Sequence, residues 1–165
     1  MIAGPSRGNR VAVAAWLRAR GLTLVEMVIA ISIAAVIAMI ALPKYRDYQE
    51  QLRVTEATYE LGHMNFLLQQ RMDETKLVPT GLSEIGQSLT KDPWGESYVY
   101  QDITGKGGPG KARKNKNLVP INTYFDVYSK GKDRQSVGPL TAGVSRDDII
   151  VANDGRFVGM AKDYE

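Results

Sequence analysis

The chain has 165 residues, a formal net charge of +3 and no cysteine. That length accommodates one domain with accessory segments rather than two full domains. The absence of thiols excludes disulfides, thiolate metal sites and thiol catalysis; with a single histidine, most acyl-transfer chemistry goes too.

The positive charge is local. Residues 1–21 hold Arg7, Arg10, Arg18 and Arg20 and no acid, and the remainder is close to neutral. Nucleic acid is therefore not expected as a partner. No nucleophile–base pair, zinc spacing or paired catalytic carboxylates emerge along the chain, so an enzyme is not expected.

Leu22 to Leu42 reads LTLVEMVIAISIAAVIAMIAL, with Glu26 as its single charge and no glycine or proline. At about 1.5 Å per residue such a helix matches the roughly 30 Å hydrocarbon core of a bilayer. The preceding arginines place its N-terminal side in the cytoplasm. A cleaved secretory signal has a shorter apolar core and a small-residue cleavage site. A plain signal anchor fits the length and the arginines but leaves Glu26 unexplained. An acid at membrane depth costs on the order of 2.5–3.5 kcal/mol on insertion scales, so it usually has a partner and a function.

The stretch RGLTLVE, residues 20–26, resembles the class III signal of type IV pilins and type II secretion pseudopilins. In that family a prepilin peptidase cuts after a glycine that follows a short basic leader, and the new first residue is N-methylated. Gly21 matches the glycine, Leu22 the first mature residue (usually Phe), and Glu26 the acid at the fifth mature position. The resemblance implies that cleavage frees an α-amine on Leu22. In a fibre of staggered subunits that cation meets the Glu26 carboxylate of a neighbour, each charge offsetting the other's desolvation. Glu26 would then set register on assembly. Residues 11–17, VAVAAWL, are removed with the leader and belong to no core.

Pro43 follows Leu42 and matches the proline that pilins carry near the twenty-second mature position, where the helix kinks and can unwind in the fibre. Residues 44 to about 74 continue as a helix. Val54, Ala57, Leu61, Met64, Leu68 and Met72 recur at steps of three and four, an apolar stripe for packing on a sheet. The opposite face carries Glu50, Arg53, Glu56, Glu60 and Arg71, and nothing in it reads as a coiled coil. His63 reads as a surface or satisfied helix residue. Residues 75–96 form a long connection in which Leu82, Ile85 and Leu89 make a short helical turn that packs down.

KDPWGESYVY, residues 91–100, begins with a turn and continues as a strand from Ser97 to Tyr100. Asp92, Pro93, Trp94, Gly95, Tyr98 and Tyr100 resemble a segment of the family's type II secretion branch, that of the major pseudopilin. Trp94 is expected to be buried as a cap on the sheet rather than to stack on a ligand. TGKGGPGKARKNKN, 104–117, lacks P-loop spacing and is expected to be a solvated, mobile insertion. A second strand is expected within 122–131, where Phe125, Asp126, Tyr128, Ser129 and Gly131 match the same branch. A third lies at 147–154, ends in an Asn-Asp-Gly turn, and pairs with a fourth at 156–160.

In the major pseudopilins the loop between the second and third strands holds calcium. The resemblance implies Asp133, Asp147 and Asp148 as ligands, with main-chain carbonyls completing the shell. Two departures weigh against this: Arg134 replaces the usual glycine, and the loop centre has no acids. On spacing alone, the three carboxylates read as surface charges.

The expected fold is α+β, a long N-terminal helix on an antiparallel sheet of three to four strands. The expected organisation is a cleaved leader (1–21), a membrane and assembly helix (22–42) and a periplasmic domain (43–165). The resemblance implies a subunit of a type II secretion pseudopilus in the bacterial inner membrane. Its partners would be copies of itself, minor pseudopilins, the assembly platform and prepilin peptidase. A type IV pilin or minor pilin for adhesion, motility or DNA uptake is the alternative; such pilins often staple their C-terminal region with a disulfide.

Overall fold

Apolar residues three and four apart give the first helix its core face. In the computed structural model, which describes residues 21–105, 108–116 and 119–164, α1 runs from Leu24 to Thr75. Ala57, Leu61, Met64 and Leu68 are buried, and Val54 and Met72 flank them half-buried. The leader arginines and the VAVAAWL segment lie outside the described residues, as do Lys106, Gly107 and Asn117 of the basic insertion.

α1 continues through Pro43 without ending. The chain divides at that proline into two compact units, one ending at Leu42 and one beginning at Pro43. In the first unit the helix is long and apolar enough to cross a membrane. Its Ser32 hydroxyl donates to the Val28 carbonyl at 2.7 Å, so the hydroxyl is satisfied inside the apolar run.

The second unit holds a four-stranded antiparallel sheet in the order β1-β4-β5-β6. Its strands are β1 (Val99–Asp102), β4 (Phe125–Ser129), β5 (Ile149–Ala152) and β6 (Phe157–Met160). Between β1 and β4 lie a helical turn, α2 (Gly108–Lys111), and the paired short strands β2 (Lys114–Asn115) and β3 (Val119–Pro120). The four main strands fall where the pattern placed them, except that β1 begins two residues late. Ser97 instead bridges to Lys91.

The apolar face of α1 packs with Trp94, Tyr98, Phe125, Val127, Ile149 and Val151 in one cluster. Ile121, Leu140, Ile150, Ala152 and Ala161 form a second. Alternate residues of β5 enter the two clusters, so the strand is buried on both faces. That is why it reads as a continuous apolar run rather than as an alternation. Burial of each large aliphatic side chain contributes roughly 1.5–3 kcal/mol.

Asn153, Asp154 and Gly155 all adopt left-handed backbone and turn β5 into β6, as the Asn-Asp-Gly sequence indicates. A Cβ at Gly155 would stand 2.3 Å from Asn65 Nδ2, so only glycine lets this turn approach α1 so closely.

Two expectations are corrected here. Leu82 is buried and Ile85 half-buried in the 3₁₀ turn Leu82–Ile85, but Leu89 lies beyond it and is 90% exposed. The basic insertion is not merely solvated: Ala112 and Arg113 are buried, at 2% and 3% exposure. The glycines and lysines hid the two residues that anchor it.

Candidate functional site

Two places carry the residues singled out in the sequence, one in each compact unit. The first is the start of α1. Thr23 precedes the first helical residue, and its hydroxyl oxygen accepts from the Glu26 main-chain N–H at 3.2 Å. Glu26 Oε2 in turn accepts from the Thr23 main-chain N–H at 2.9 Å and from its hydroxyl at 3.0 Å. This is a capping box, in which two otherwise unpaired main-chain donors are satisfied reciprocally. Glu26 therefore has an internal partner before any neighbour arrives. The signal was present as T-x-x-E ahead of an apolar run, and the resemblance drew attention past it to the α-amine. Gly21 and Leu22 lie just before the cap, outside the helix.

The second is the loop that joins β4 to β5. Gly131 begins it in left-handed conformation, and a Cβ there would fall 2.2 Å from the Asp147 carbonyl oxygen. Asp147 Oδ2 accepts from the Asp133 N–H at 3.0 Å, and Asp133 Oδ1 accepts from the Gln135 N–H at 2.7 Å. Asp133 and Asp147 are thus neighbours, each holding main chain. Asp148 does not join them. Its side chain is fully buried and meets Arg113 of the basic insertion, with Arg113 Nη2 donating to Asp148 Oδ2 at 2.5 Å. Ser136 Oγ also donates to Asp148 Oδ2 at 2.7 Å and accepts from Arg113 Nη1.

Arg113 is fixed from other sides as well. Its main-chain N–H donates to Asp126 Oδ2 at 2.7 Å, and its guanidinium carbon lies 4.2 Å from the Tyr128 ring centroid. Among the described residues, Arg113 Nε and Asp148 Oδ1 have no hydrogen-bond partner. Among the described residues no group of three or more carboxylates or histidines is placed to hold a metal. Calcium needs six to eight hard oxygens. Here the innermost carboxylate is engaged by a guanidinium, and the two outer ones by main-chain N–H groups. The donor set expected from Asp133, Asp147 and Asp148 does not fit the ion.

Burial pushes the Asp148 carboxyl from its ordinary value of 3.8 up to about 6, against the downward pull of the Arg113 charge. The folded chain then holds this proton more tightly than the unfolded chain does. The resulting stability is fully present below about pH 4 and is lost as the pH rises through 6. We expect the wild type to lose on the order of 2 kcal/mol over that window relative to Asp148→Asn, which cannot titrate. Urea unfolding at several pH values measures the difference, and a flat difference contradicts the assignment.

The DPWG segment is tied to β4. Asp92 Oδ1 accepts from the Trp94 N–H at 3.1 Å and the Glu96 N–H at 2.8 Å, while Asp92 Oδ2 accepts from the Ser129 hydroxyl at 2.5 Å. Trp94 is 7% exposed and donates its indole N–H to Glu50 at 3.0 Å. It closes the core, as the sequence reading held.

One feature of α1 escaped that reading. Tyr45, Leu52, Tyr59 and Phe66 recur every seven residues, with Tyr48 between the first two, and all are more than half exposed. They lie on the side away from Ala57 and Leu61. The acids and arginines interleaved with them mask the pattern, whose signal in the sequence is its period of seven.

A signal-like apolar helix that begins in an acid-bearing cap, and continues onto a small antiparallel sheet, defines a pilin-like α+β subunit. Known proteins agree. The family described as the prokaryotic N-terminal methylation motif matches residues 16–42. A fimbrial protein of Neisseria meningitidis serogroup A is 45% identical over 139 residues, covering 82% of this chain and 80% of its own length. A fimbrial protein of Pseudomonas aeruginosa is 29% identical over 94 residues, 57% of this chain. The fimbrial protein EcpB of Eikenella corrodens is 42% identical over 43 residues. The chain spans just over half the length, 56%, of the Pseudomonas protein. No solved structure matches it. The chain belongs to the type IV pilin and pseudopilin family.

Proposed function

We propose that this protein is a structural subunit of a type II secretion pseudopilus. Prepilin peptidase cuts after Gly21, Leu22 is methylated, and the subunit waits in the inner membrane with residues 43–165 in the periplasm. An assembly platform then adds copies one by one, with minor pseudopilins among the partners, into a fibre that drives protein export. Glu26 sets register against the Leu22 α-amine of a neighbour, and Pro43 lies where the helix is free to unwind.

The observation that carries the secretion reading is the joining of two segments. KDPWGESYVY and FDVYSKG resemble the major pseudopilins, and Asp92 locks one to the other through Ser129. The absence of cysteine points the same way, since no disulfide can staple the C-terminal region. The fibre reading rests on α1. Its apolar run, residues 22–42, is exposed except at half-buried Ala38, and in the second unit the seven-residue stripe from Tyr45 to Phe66 offers a further surface for helix packing. A surface pilus is the second reading, favoured by the fimbrial proteins among its relatives.

Deletion of the chromosomal gene separates the two. We expect exported proteins to stay in the periplasm while surface pili, counted by electron microscopy, remain. Loss of pili with normal export would overturn the proposal in favour of the surface pilus.

A further inference from the structure

We propose that Arg113 serves as a built-in cation for the β4–β5 loop, so that the domain folds and holds this loop without calcium. The inference goes beyond the fibre reading and does not depend on it.

A loop of this length, rich in small and polar residues and lacking a disulfide, needs something to close it. The acid at its far end, Asp148, points inward and is fully buried. An isolated buried carboxylate is costly, so a positive partner is required. The basic insertion supplies one. Ala112 and Arg113 plug into the domain between α2 and β2, and the Arg113 main chain is anchored on Asp126. The guanidinium then reaches Asp148 at the far end of the loop and Ser136 within it, and rests on Tyr128 of β4. Ser145 closes the same loop from within, its hydroxyl bonding both the N–H and the carbonyl of Val137 at 2.9 Å.

A divalent ion placed beside Asp148 would meet that guanidinium at close range and be repelled. The loop centre can then lack acids, because no ion must be wrapped, while Arg134 holds the left-handed backbone that the glycine expected there would adopt. Arg134 instead reaches out of the loop and donates to the Trp94 carbonyl at 2.7 Å. The 104–117 insertion exists, on this account, to carry Arg113 inward.

Thermal unfolding of the full-length chain in detergent, with millimolar calcium, magnesium or chelator, tests this directly. The expected midpoint is the same in all three. Arg113→Met should lower the midpoint in every buffer, and Arg113→Met/Asp148→Leu should restore much of the loss. Binding of calcium well above its Kd would raise the midpoint by several degrees. A calcium-specific rise in the wild type that disappears in Asp147→Asn would overturn the proposal. So would an Arg113→Met chain as stable as the wild type. The wild-type arm needs no variant, so a failure of Arg113→Met to fold leaves the test intact.

Discussion

Arg113→Met is expected to cost roughly 3–5 kcal/mol of folding stability, the range for breaking a buried ion pair from one side. The guanidinium is 3% exposed and Asp148 is fully buried, so water cannot replace the lost partner. Ser136 keeps its hydrogen bond to Asp148 but brings no charge. The main-chain bond from residue 113 to Asp126 survives the substitution, so the change isolates the side chain. Removing both charges in Arg113→Met/Asp148→Leu should recover most of the loss, because no buried charge is left unpaired, although the half-buried Ser136 hydroxyl loses both of its partners. Urea unfolding of the three variants measures the cycle. A cost below about 1 kcal/mol for the single change would mean that the pair is solvated and the loop is closed by something else.

The second large effect is expected at Glu26. Glu26→Ala should give a subunit that inserts and is cleaved but yields little or no fibre. Insertion should, if anything, improve, since the run loses its only charge. The capping box makes a competing explanation available, because Thr23 also loses its partner. Loss of a cap costs only about 0.5–2 kcal/mol, at a helix whose stability in a membrane does not depend on one cap. Glu26→Gln separates the two roles: it keeps a hydrogen-bond acceptor for Thr23 but removes the charge. If Glu26→Gln assembles like the wild type, the cap matters and the ion pair with a neighbour does not. Fibre recovered from sheared cells, compared with the membrane pool by immunoblot, reads the outcome.

Much of the fold was legible because its signals are local. A period of three and four marks the core face of α1, and the Asn-Asp-Gly turn announces the β5–β6 hairpin. The Trp94 cap was readable from the DPWG turn that holds it. The pairing of Arg113 with Asp148 was not readable, since it joins residues 35 apart through an insertion whose composition suggests solvent. Asp148 was singled out as an acid, but that it is buried on Arg113 while Asp147 bonds the Asp133 main chain is set by packing between segments distant in sequence. Asn65 was missed because one polar residue on an apolar helix face reads as noise; it is buried against the Gly155 turn. The Tyr45–Phe66 stripe was legible but overlooked, since its period differs from that of the core face.

Disulfide trapping tests the central claim, that α1 packs against copies of itself in a fibre. The chain has no cysteine, so each introduced thiol reports alone. Leu52→Cys, Tyr59→Cys and Phe66→Cys place thiols on the exposed stripe, and Leu89→Cys places one on an exposed site of another segment. On oxidation in assembling cells, we expect covalent dimers from one or more stripe positions, none from Leu89→Cys, and none from any position when Glu26→Ala is added. Equal trapping at Leu89→Cys, or no trapping along the stripe in cells that make fibre, would contradict the account.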